Sequence, residues 1–121
     1  MVILGKVLYN AKHKEVLDSF LLKIPFVKPG KMFGYPAYYV GGKLFACVYG
    51  DIVGLKVPES LANTLLQRTE ITHFQPMGRR KMREWIQINW DTSDDYMKDQ
   101  DIFDASIKYV ASLSNIELQK E

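Results

Sequence analysis

The sequence contains a single cysteine, Cys47, and only two histidines, His13 and His73. One thiol forms no intramolecular disulfide, and without a CxxC pair neither zinc nor thioredoxin-like chemistry has its ligands, so a reducing compartment is expected. Neither histidine stands in a catalytic-triad signature, and each is read as structural or superficial. Cys47 lies inside an apolar stretch with nothing nearby to lower its pKa, the setting of a buried small hydrophobe rather than of a thiolate nucleophile. Long apolar runs are also missing. Residues 1–9 (MVILGKVLY) begin apolar, but they carry no basic n-region, and Gly5-Lys6 interrupts them before a signal segment or a membrane span is complete. A cytoplasmic protein with no membrane contact is expected.

The glycines at 30, 34, 41, 42, 50 and 54 never assemble into GxGxxG or GxxxxGK[ST], so no nucleotide cradle is indicated. The acidic run Asp91, Asp94, Asp95, Asp99, Asp101 and Asp104 lacks the glycine and terminal glutamate of an EF-hand loop and reads as a solvated helix start. No metal, cofactor or catalytic residue is expected.

What is present is an ordinary globular balance, 47% hydrophobic and 25% charged, in 121 residues. That length suits one domain over residues 1–121, enough to withdraw roughly two-thirds of the unfolded surface from water. The net charge of +2 hides an asymmetry: residues 1–90 hold 13 Lys and Arg against 6 Asp and Glu, and residues 91–121 hold 3 against 8. A positive body favours anionic partners unless the acidic segment packs against it and neutralises its field.

Local patterns give the order of elements. Val16, Leu17, Phe20, Leu21 and Ile24 recur at helical spacing, predicting an amphipathic helix from about Asn10 to Lys23. Pro25 ends it, and Pro29-Gly30 is read as a turn. Residues 34–57 read as three strands, Tyr35 to Val40, Lys43 to Tyr49 and Ile52 to Val57, joined by Gly41-Gly42 and Gly50-Asp51. Both faces of the middle strand are apolar, Leu44, Ala46 and Val48 on one and Phe45, Cys47 and Tyr49 on the other, so each needs a cover. Pro58 starts a short helix, Ile71 to Gln75 and Met82 to Trp90 form two strands around the turn Pro76 to Lys81, and Asp91 to Asp95 opens a last helix through Tyr96, Phe103, Ile107, Val110 and Ser114. The expected fold is α+β: an antiparallel five-stranded sheet with helices on one side, in the order α-βββ-α-ββ-α.

The clearest chemical feature is the basic turn after Gly78. Arg79, Arg80, Lys81 and Arg83 place four cations within five residues, and each arginine offers a planar fork of donors to phosphate or carboxylate. Three functional readings follow. The first is a non-enzymatic regulatory or interaction module whose contact surface combines this turn with the loop around Lys31 to Tyr35, the partner being another protein. A nucleic-acid binder is the second, with arginines on phosphates and Tyr35 or Tyr38 stacking on bases. The third is an enzyme or small-molecule binder with a pocket near Cys47 or His73.

Two segments resemble the N-terminal domain of the TfoX family, related in fold to the YjbR/MmcQ group. Met32-Phe33-Gly34-Tyr35-Pro36-Ala37-Tyr38-Tyr39-Val40-Gly41-Gly42-Lys43-Leu44-Phe45-Ala46 is similar to that family's MFGG-type start with its following LY, GK and FA, although Tyr35-Pro36 stands where a second glycine and its neighbour are usual. Phe74-Gln75-Pro76-Met77-Gly78-Arg79-Arg80-Lys81-Met82-Arg83-Glu84-Trp85 is similar to its F-x-P-M-G-R and M-x-x-W segment, and Leu55-Lys56 suits its LxLK-like strand. The resemblance covers residues 10 to about 113. It implies an α+β domain and a regulatory role. The family includes regulators of competence gene expression, which carry a further C-terminal domain not expected here.

Overall fold

The side-chain oxygen of Asn10 accepts hydrogen bonds from the amides of Lys12 and His13, both at 3.0 Å, satisfying free donors at the start of α1 (Ala11–Leu21). Leu17 and Leu21, four residues apart, fall on one face and are fully buried. The computed structural model describes residues 8–114, so the first seven residues of the apolar N-terminal run lie outside it.

After α1 the chain makes four antiparallel strands in succession, β1 (Val27–Met32), β2 (Tyr35–Val40), β3 (Lys43–Tyr49) and β4 (Ile52–Lys56). Helix α2 (Glu59–Leu65) follows, then β5 (Ile71–His73) and β6 (Trp85–Ile88). A 3-10 segment, Ser93–Asp99, leads into α3 (Gln100–Leu113). The sheet runs β1-β2-β3-β4-β6-β5.

The expected five strands and the order α-βββ-α-ββ-α are therefore wrong: the described residues form six strands in the order α-ββββ-α-ββ-α. The missed strand is β1, whose Pro29-Gly30 looks like a turn but pairs with Ala37 and Tyr38. An edge strand tolerates a proline because one row of its amides has no partner to lose. Gly30 is required for a different reason: a Cβ there would sit 2.9 Å from the Tyr39 ring. The true turn is Phe33-Gly34, at φ +50 and +86, which shares with Gly41-Gly42 (φ +60 and +76) the two positive φ values of a tight hairpin. Phenylalanine in the first of these positions hides the turn from the sequence.

Three smaller expectations also change. The register shifts between Tyr38 and Tyr39, so that Tyr38 faces Ala46 and Tyr39 faces Leu44. This bulge sends Phe45, Ala46 and Val48 to one core and Leu44, Cys47 and Tyr49 to the other, unlike the simple alternation of the sequence. The last helix does not begin at the acidic run, because a 3-10 segment intervenes and Thr92 makes no side-chain cap. Strands β5 and β6 are shorter than expected, leaving residues 74–84 as a long connection.

All three helices cover one face. Leu17 and Leu21 from α1, Ala62 and Leu65 from α2 and Phe103, Ile107 and Val110 from α3 pack with Phe45, Val48, Val53, Leu55, Ile86 and Ile88. At about 25 cal/mol per Å² of apolar surface removed from water, this layer is the main stabilising element. The opposite face carries a smaller cluster of Ala37, Cys47 and Phe74, rimmed by half-buried Tyr39, Tyr49, Met82 and Trp85. No α-helix lies there among the described residues, and the connection 74–84, with a short 3-10 turn at Pro76–Gly78, is its cover.

Candidate contact surface on the open face of the sheet

Phe74 anchors this cover. Its ring lies directly over Gly54, where an added Cβ would meet Phe74 Cζ at 2.8 Å. It packs edge-on against Tyr49 at 5.9 Å and tilted against Trp85 at 5.5 Å, while Tyr35 stacks on Tyr49 at 4.5 Å. An aromatic chain, Tyr35 to Tyr49 to Phe74 to Trp85, thus runs along the open face.

The connection is held by polar contacts as well. The Met77 amide donates to the Tyr49 hydroxyl at 2.9 Å, the Arg79 amide to the Pro76 carbonyl at 3.0 Å, and the Gln75 side-chain amide to the Arg79 carbonyl at 3.3 Å. Met77 adopts φ +56 and Gly78 φ +74, so the backbone passes through the left-handed region twice in succession. For methionine that conformation costs about 1 kcal/mol or more, and it persists because Pro76 is buried on one side and the Tyr49 bond fixes the other. Phe33, at φ +50, carries the same cost. Both side chains are 61% exposed.

Lys31, Arg79, Arg80, Lys81 and Arg83 are all exposed, and Tyr35 is half-buried. Among the described residues none of the four cations of the connection has a carboxylate within ion-pair distance. They do not form one tip. Arg79 and Arg80 follow Met77, whose amide is on the Tyr49 hydroxyl, and Tyr35 packs on that same tyrosine. Arg83 lies farther along the connection, bordering a hollow of about 450 Å³ with Lys56, Glu59 and Trp85. The expected hairpin tip is thus a strap across the sheet, because Phe74 and Met82 turn inward and split the basic run.

The tyrosines offered for base stacking are largely occupied. Tyr38 is buried on the helix side with its hydroxyl on Asp18 at 2.6 Å, and Tyr39 donates to the Lys31 carbonyl at 2.7 Å. Tyr35 remains half-buried, with its ring already on Tyr49. Phe33 and Met77 fall within the two segments that carry the family resemblance but are not among the expected contact residues; a large apolar residue immediately before a turn glycine is the signal that marks both.

The acidic run that begins at Asp91 lies elsewhere. Tyr96 inserts into the helix-side core and Asp99 is buried, accepting from Trp90 Nε1 at 2.8 Å and Arg68 at 3.2 Å, which fixes the segment to the face opposite the strap. His13 is buried there too. Its Nε2 faces the Asp51 carbonyl at 3.0 Å, so that nitrogen carries the proton and Nδ1 accepts from the Ser93 hydroxyl at 2.7 Å. The imidazole therefore clips α1, the β3–β4 turn and the 3-10 segment together, and burial lowers its pKa. Cys47 is fully buried, which pushes its thiol up to about 12. His73 has Nδ1 buried without a hydrogen-bond partner among the described residues. Those residues contain no cluster of three or more His, Cys, Asp or Glu side chains able to hold a metal, and no helix long and apolar enough to cross a membrane.

No protein-family model, curated protein or solved structure matches the chain. The likeness to the TfoX N-terminal domain rests on the sequence alone, on the two segments and Leu55-Lys56.

Proposed function

We propose that the protein is a non-enzymatic interaction module of the kind the TfoX N-terminal domain represents, acting in regulation by docking another protein on the open face of its sheet. The observation that carries this reading is the strap itself: Arg79, Arg80, Lys81 and Arg83 are exposed, without a carboxylate partner among the described residues, on a segment tied to the sheet through Phe74, Pro76 and the Met77–Tyr49 bond. Pinned cations lose less freedom on binding than cations on a loose hairpin, so more of their attraction reaches the partner. The same segment supplies part of the resemblance to that family, and Tyr38, one of the two tyrosines a nucleic acid would stack on, is buried on the helix side, which favours a protein.

The test is affinity capture from native cell extract with the wild-type chain and with the double variant Arg79→Glu/Arg80→Glu, each with and without nuclease. Loss of the captured proteins in the variant, unaffected by nuclease, is the expected result. Capture that survives the charge reversal refutes the reading, and capture abolished by nuclease transfers it to nucleic acid.

A further inference from the structure

Phe33 and Met77 occupy positions that the fold would fill better with other residues. Each takes a positive φ, +50 and +56, each precedes a glycine at positive φ, and each leaves 61% of its surface exposed. The comparable turn between β2 and β3 uses Gly41-Gly42, and asparagine or glycine is what such a backbone favours. A large apolar side chain in either place adds strain and remains in water. Strained positions of this sort concentrate at binding sites, where the geometry is kept for what it presents.

The two residues are linked through the Tyr35–Tyr49 pair. Phe33 lies two residues before Tyr35, whose ring stacks on Tyr49, and the Tyr49 hydroxyl holds the Met77 amide. Lys31 flanks the first anchor, and Arg79 and Arg80 flank the second. Two apolar knobs flanked in sequence by cations that have no carboxylate partner among the described residues complement a surface of the opposite pattern.

Resting on the reading of this face as a protein contact surface, we infer that Phe33 and Met77 are its apolar anchors, and that the partner is an acidic peptide segment carrying large apolar side chains between its carboxylates. Phenylalanine supplies a rigid anchor, and methionine adapts to the shape opposite it. The arginine forks take the flanking carboxylates and set the register.

The experiment selects a short random-peptide library against the full wild-type chain. The best selected peptide is then measured on wild type, on Phe33→Asn/Met77→Asn and on Arg79→Glu/Arg80→Glu, with an oligothymidylate as competing ligand and thermal unfolding of every variant. Wild type should select peptides with Asp or Glu around aromatic or aliphatic residues. Phe33→Asn/Met77→Asn should bind the best peptide roughly tenfold or more weakly, the loss expected on removing central anchors. Its Tm should be unchanged or higher, since asparagine relieves the left-handed strain.

A selection without the acidic-apolar pattern, no enrichment at all, tighter binding of the oligothymidylate than of the best peptide, or a lowered Tm for the asparagine variant would each overturn the assignment. If Arg79→Glu/Arg80→Glu loses its captured proteins while the asparagine variant keeps full binding, the contact surface stands and the anchors fall. Undiminished binding by both variants removes the two proposals together.

Discussion

Burial decides what His13 and Cys47 can do. Desolvation holds the His13 pKa below its ordinary value of 6.5, and the Asp51 carbonyl and the Asp51 and Asp91 carboxylates oppose it only in part. The unfolded chain therefore binds a proton more readily than the folded one as pH drops through about 6.5 and below, and the stability His13 contributes is present above that pH and lost beneath it. Urea midpoints between about pH 7 and pH 5 should fall more for wild type than for His13→Gln, and parallel curves would contradict the assignment. Cys47, fully buried with its thiol raised to about 12, should resist iodoacetamide in the native protein and react once unfolded. The burial of Cys47 was legible because the residues beside it in sequence are apolar. The His13 clip was not, because its two partners lie 38 and 80 residues away.

At the level of elements, the open face depends on close approach between ring and backbone. Gly54→Ala puts a Cβ 2.8 Å from the Phe74 ring, which is buried between Tyr49 and Trp85 and has nowhere to move, so a loss of about 1–3 kcal/mol is expected in urea unfolding. Gly30→Ala meets the Tyr39 ring at 2.9 Å, but that ring is only half-buried and can swing outward, so the cost there should be smaller. Equal losses would show that the strap is not packed as described. Helix α1 and the turns Gly41-Gly42 and Gly50-Asp51 could be read from local pattern, since periodicity and paired small residues are local signals. Strand β1 could not, because its Pro29-Gly30 reports the demands of an edge and of a neighbouring ring rather than a turn. The path of residues 74–84 was equally hidden: what bends them over the sheet is the absence of a side chain at Gly54.

At the scale of the whole molecule, the acidic run and the basic strap lie on opposite faces among the described residues, and Glu84, at the end of the strap, pairs with Lys56. The acidic segment is fastened to the helix side through Tyr96 and Asp99, and the strap lies on the other side, so the two do not cancel locally. Partner binding should weaken as salt rises from about 0.05 to 0.3 M, because the screening length for exposed charges shrinks from about 14 to about 6 Å in that range, whereas contacts made only by the apolar anchors would not respond. The basic turn stood out in the sequence as composition, but its division between the Tyr49 and Trp85 ends came only from the packing of Phe74 and Met82. The most direct test of the contact surface pairs two readings on Arg79→Glu/Arg80→Glu: unfolding free energy and partner capture in one preparation. Stability should stay within about 0.5 kcal/mol of wild type while capture is lost. Capture at the wild-type level in a folded variant would contradict the assignment.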